Sequence, residues 1–131
     1  RLEEALRAYD ELASHTNAVL ELRLQAAYKS GRIHQRLKRP EEAYRRYYEG
    51  VILPFLEARR AGQPLNEPSV AWFTRAAFEA ASLKESKGEW REAIRLYQRV
   101  VETGVPAAPE ARRRIETLRR DHPLAIKEPF R

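Results

Sequence analysis

Pro40-Glu-Glu-Ala43-Tyr-Arg-Arg-Tyr47 and Trp90-Arg-Glu-Ala93-Ile-Arg-Leu-Tyr97 are two versions of one phrase, and a third opens the chain as Leu2-Glu-Glu-Ala5-Leu-Arg-Ala-Tyr9. Each begins with a bulky residue or proline, carries a glutamate two places on, then an alanine, then a tyrosine four residues beyond it. Residues four apart on a helix lie one above the other on the same face. A small residue there lets a second helix cross closely, and the aromatic one turn later fills the groove beside it. The phrase therefore predicts three equivalent helices, each closing its core through a small-residue contact.

Working outward, apolar residues recur at three- and four-residue steps and nothing reads as strand. In the opening segment Leu2, Ala5, Leu6, Tyr9, Leu12 and Ala13 form one stripe, with Glu3, Glu4, Arg7, Asp10 and Glu11 opposite. The next helix, capped by Thr16 or Asn17, runs to about Arg39 and is apolar on two sides, as a helix packed between two neighbours is. A third is predicted from Pro40 to about Ala61, with Pro54 kinking or ending it. Residues 62–68 are loop. Ser69 is the expected cap of a fourth helix to Lys87, Gly88 breaks it, and a fifth runs from Glu89 to about Thr103. Pro109 opens a sixth carrying Ala111, Ile115 and Leu118 inward, and residues 122–131 read as a surface tail without helical pattern. The expectation is an all-α fold of about six helices with antiparallel neighbours.

The chain has 131 residues and 43% hydrophobic content, enough to bury a globular core. No apolar run approaches the ~20 residues that cross a bilayer, which predicts a soluble chain with no membrane span. It starts Arg-Leu-Glu-Glu without methionine or leader, so compartment, cytoplasmic or periplasmic, stays open; the first helix lacks a partner helix before it, so further repeats are expected N-terminally. With no cysteine there are no disulfides, thiolate nucleophiles or cysteine-based zinc sites. The +6 charge is compatible with an acidic partner, but acids are interleaved with the bases almost everywhere.

The three phrases resemble the second-helix half of the tetratricopeptide repeat. That family places a small residue in its first helix, alanine early in the second, an aromatic four beyond, a small residue a turn later, and then proline. Those features fall on Gly31, Ala43, Tyr47, Gly50 and Pro54 in the middle unit, and on Ala81, Ala93, Tyr97, Val100 and Pro106 in the last, with Gly88 between the helices. Ala5 and Tyr9 are their counterparts in the opening helix. The family's early tryptophan is replaced by Ala27 and Ala77, and its mid-helix tyrosine by His34 and Lys84. The spacing is also wider, Ala43 and Ala93 standing fifty residues apart against about 34 in the family. The resemblance implies a right-handed α–α superhelix of hairpins over residues 1–121. Residues 1–15 would be the second helix of a truncated repeat, 17–61 and 69–105 full repeats, 108–121 a capping helix, and 122–131 a C-terminal tail.

It also implies a binding face. The first helices of such repeats line a concave groove, and the matching positions are Gln25, Tyr28, Arg32, Gln35 and Arg36, then Arg75, Phe78, Ser82, Glu85 and Ser86. Arginines there suit carboxylates, and Tyr28 and Phe78 suit an anchoring side chain. The asparagines of the family's carboxylate clamp are missing: Lys29, Arg32, Glu79 and Ser82 stand in their places. The function implied is a non-catalytic scaffold that binds a peptide or partner helix. Two alternatives stand behind it. One is a nucleic-acid or acidic-partner surface built from Arg45-Arg46, Arg59-Arg60, Arg112-Arg113-Arg114 and Arg119-Arg120; the other is an analogy with bacterial envelope-assembly repeat proteins.

Catalytic signatures are missing from the sequence: there is no GxGxxG, P-loop, HExxH or GxSxG. Asp10 and Asp121 are the only aspartates, and His15, His34 and His122 share no ligand spacing, so neither metal nor cofactor is expected. His34 reads as a packed structural histidine, and most aromatics as core. No enzyme is expected.

Overall fold

The computed structural model describes residues 1–15 and 19–127, and every element in it is helical. The chain divides into two compact units, Arg1–Ala76 and Ala77–Arg131. In the first unit are α1 (Leu2–Ala13), α2 (Leu20–Arg36), α3 (Pro40–Tyr47), a π-helical turn (Tyr48–Ile52), α4 (Leu53–Arg60) and the first half of α5 (Glu67–Ser86). The second holds the rest of α5 with α6 (Trp90–Thr103), α7 (Ala108–Asp121) and α8 (Pro123–Lys127).

In the first unit α2 packs on both α1 and α3, as its two apolar sides demand. The α2–α3 pair is antiparallel, since Ala27 lies opposite Gly50 whereas Gly31 and Gln35 both meet Tyr47. Ala43 and Tyr47 are wholly buried. A Cβ added to Gly31 would lie 2.8 Å from Tyr47 Cδ1, so only glycine lets the ring sit this deep. Ala5 and Tyr9 of α1 are half-buried. Phe55 of α4 stacks on Phe73 of α5 with centroids 4.2 Å apart, closing the far side of this core.

Pro54 does not end its helix. The Leu53 N–H donates to the carbonyl of Tyr48, five residues back, so the backbone widens by one residue just ahead of the proline. A proline ring would otherwise press on the carbonyl four residues earlier. Val51, Ile52 and Phe55 are buried across this turn, and their packing gives the chain reason to continue.

In the second unit Ala93 and Tyr97 are again wholly buried, with Ala81 and Val100. The turn into α6 repeats the turn into α3. Arg39 N–H donates to His34 O (2.8 Å) and Lys38 N–H to Gln35 O (3.0 Å); Glu89 N–H donates to Lys84 O and Gly88 N–H to Glu85 O, both 2.9 Å. This is the Schellman closure, which needs a left-handed residue after the helix. Gly88 supplies it at φ 73°, and Lys38 adopts it at φ 59° despite carrying a side chain.

Three expectations shift. The expected caps Thr16 and Asn17 lie outside the described residues, and α2 starts at Leu20. The cap of α5 is Asn66, whose Oδ1 accepts from Ser69 N–H at 3.0 Å, so Ser69 sits inside the first turn and is buried. Part of the tail is helical. Pro123 presets the backbone for α8, His122 stacks on Trp90 at 3.7 Å, and α8 packs on α6 and α7.

Candidate functional site

Five of the sequence-selected groove positions lie on α2. Tyr28 is buried, its ring 5.6 Å from Tyr47 and 5.4 Å from Trp72. One turn on, Arg32 is exposed, donates from Nη1 to the Tyr28 hydroxyl at 3.1 Å, and holds its guanidinium 5.9 Å from the same ring. Gln35 is half-buried and accepts a hydrogen bond from the Tyr47 hydroxyl. Gln25 is half-buried and Arg36 exposed. From α5, exposed Arg75 lays its guanidinium 5.0 Å over half-buried Trp72. Tyr28, Arg32, Trp72 and Arg75 therefore form one aromatic–guanidinium cluster within the first unit.

Trp72 is not among the sequence-selected groove positions; it adjoins Phe73 in sequence, and adjacent helical residues diverge onto different faces. Phe73 turns fully inward and Trp72 stays half-exposed. Its spacing from Arg75, one helical turn, was the readable signal.

The remaining groove positions belong to the second unit, where Phe78 and Glu85 are already engaged by other side chains. Half-buried Phe78 meets Tyr97 edge-on at 5.4 Å, and Arg114 of α7 lies 5.5 Å over Phe78. The Tyr97 hydroxyl donates to Glu85 Oε2 at 2.6 Å and accepts from Arg114 Nη1 at 3.3 Å. Burial, and then the Glu85 carboxylate, pushes the Tyr97 phenol well above its ordinary range. Arg114 also donates to Glu110 (3.0 Å), which itself is held below the usual carboxylate range by Arg113 and Arg114. Ser82 and Ser86 are exposed, and the Ser86 hydroxyl donates to the Ser82 carbonyl.

A second polar constellation ties α1, α2 and α3 together. Wholly buried Ser30 donates to Asp10 Oδ1 at 2.7 Å, Arg46 donates to Asp10 at 3.1 and 3.4 Å, and Arg46 reaches Glu42 at 3.4 Å. A cavity of about 280 Å³ borders it, lined in part by Asp10, Ala27, Arg46 and Gly50. One turn beyond Ser30, His34 is buried with no hydrogen bond to either ring nitrogen. Burial first, and the Arg46 charge second, lower its pKa against the opposing pull of Asp10 and Glu42. The cluster joins three helices through neutralised charge.

Among the described residues no three His, Asp or Glu side chains gather as a metal-binding group, and no helix is long and apolar enough to cross a membrane. Comparison with protein-family models, with characterised proteins and with solved structures finds no match to this chain.

Proposed function

We propose that the chain is a non-catalytic scaffold of tetratricopeptide-like helical hairpins, arranged as an α–α superhelix, that binds a peptide or partner helix. The observation carrying this reading is the aromatic–guanidinium cluster of Tyr28, Arg32, Trp72 and Arg75, with exposed Arg36 on the same helix as Arg32. Arginines beside a part-exposed aromatic, as Arg75 is beside Trp72, are residue types that protein interfaces use as anchors. The repeat reading is supported by local geometry that recurs at the fifty-residue offset: the Schellman turns, the buried alanines and the paired tyrosines.

A nucleic-acid surface stands behind it, because members of most basic runs are matched by acids. Arg45 and Arg46 reach Glu42, Arg60 reaches Glu57, Arg113 and Arg114 reach Glu110, and Arg120 reaches Asp121.

The test is selection from a random library of peptides about twelve residues long on the immobilised chain, repeated with Arg32, Arg36 and Arg75 all changed to Glu. Enrichment by the native chain and its loss in the variant are expected. The same peptides captured equally by the variant would remove this face from the function.

A further inference from the structure

Resting on that scaffold reading, we infer that the first unit's face takes an acidic peptide segment, with carboxylates on Arg36 and Arg75 and an apolar side chain against the exposed part of Trp72. Charge complementarity carries the argument. Arg36 and Arg75 are exposed, and among the described residues neither has an acidic partner within ion-pair distance.

The guanidinium of Arg75 is also held in place. Its Cζ lies 5.0 Å from the Trp72 ring centroid, and a guanidinium held over a ring can still donate from its N–H edge. A carboxylate accepts from such an edge through two parallel bonds, and the contact with Trp72 has already removed part of the entropy that binding would cost. Arg32 is positioned in the same manner by the Tyr28 hydroxyl and ring.

The same geometry disfavours a nucleic-acid strand. Base stacking needs an open aromatic face. Here Tyr28 and Trp72 engage each other, Arg32 engages the first and Arg75 the second. Tyr28 is buried, and half-exposed Trp72 is the surface against which an aliphatic side chain can pack. A short peptide with alternating carboxylates and aliphatic groups satisfies both features.

The molecule has two tryptophans, so Trp90→Phe leaves Trp72 as the sole indole reporter of this face. Fluorescence of that variant would be titrated at low salt with a synthetic Glu/Leu peptide of about ten residues, its Gln/Leu and Lys/Leu analogues, and a single-stranded oligonucleotide of similar length. The Glu/Leu peptide is expected to shift Trp72 emission and to bind at least about tenfold more tightly than the Gln/Leu analogue. Adding R36E and R75E should abolish the response with unchanged far-ultraviolet circular dichroism, since both side chains are exposed. R59E with R60E, on α4, should change affinity by less than about twofold.

Equal or tighter binding of the Gln/Leu or Lys/Leu peptide overturns the acidic class and leaves the scaffold reading standing. Tighter binding of the oligonucleotide, or an equal loss in the R59E/R60E variant, overturns it as a bulk-charge effect. If no peptide of any charge binds, the scaffold reading itself falls.

Discussion

His34 shows how a single side chain can carry the pH response of a helical unit. It is 4% exposed, hydrogen-bonds through neither ring nitrogen, and faces Arg39 and Arg46 as well as Asp10 and Glu42. Its pKa is lowered on folding, by burial before anything else, so the unfolded chain binds its proton first as pH falls. The stability it lends is whole above the unfolded value near 6.5 and is lost as pH drops through the lower folded value. Urea unfolding followed from about pH 8 to about pH 5 should show His34→Phe with a flatter decline than the native chain, the difference not exceeding about 1.4 kcal/mol per pH unit. Parallel profiles would remove His34 from the response. A second residue is expected to move stability the other way. Lys38 holds a left-handed φ of 59° where the equivalent turn has Gly88. Lys38→Gly should raise stability by about 0.5 to 1 kcal/mol, and Gly88→Ala should lower it by about 1 kcal/mol, both read as shifts in the thermal midpoint.

At the scale of elements, the cap of α5 has a predicted energy. Asn66 Oδ1 accepts the Ser69 N–H, and Asn66 Nδ2 donates to Glu21 at 2.9 Å. Asn66→Ala should cost about 1 kcal/mol in urea unfolding, and Asn66→Ser should recover most of it, since a serine hydroxyl still caps but does not reach Glu21. If both substitutions cost the same, the Glu21 contact and not the cap is what matters. The sequence pointed to Ser69 because a hydroxyl before an apolar run is the usual cap, but Glu67 and Pro68 are good first-turn residues and let the helix start earlier. Pro54 was legible as a disturbance. That the helix would widen and carry on depended on Val51, Ile52 and Phe55 finding burial on either side of it, and their partners lie far away in sequence. The same limit hid the covering of Phe78. Arg114 comes from α7, and no local pattern announces which arginine in the run Arg112–Arg114 will fold back over a ring. Alanine and tyrosine four apart, by contrast, needed only their own helix to be read, and Ala43, Tyr47, Ala93 and Tyr97 are all buried.

At the scale of the molecule, two hairpins of related sequence solve one packing problem with different chemistry. Tyr47 donates to a neutral amide, Gln35; Tyr97 donates to a carboxylate, Glu85, and also accepts from Arg114. Replacing each tyrosine by phenylalanine keeps the buried ring and deletes only the hydroxyl. Tyr47→Phe leaves half-buried Gln35 able to turn toward water, and should cost about 1 kcal/mol. Tyr97→Phe deprives a partly buried carboxylate of its donor and Arg114 of an acceptor, and should cost about 2 kcal/mol. The Tyr47 hydroxyl bonds Gln35 and the Tyr97 hydroxyl bonds Glu85 and Arg114, so the double variant should show the sum within about 0.5 kcal/mol in urea unfolding. Equal single losses would mean that the carboxylate of Glu85 is satisfied without the phenol, and the second hairpin would then be held by its ring packing alone.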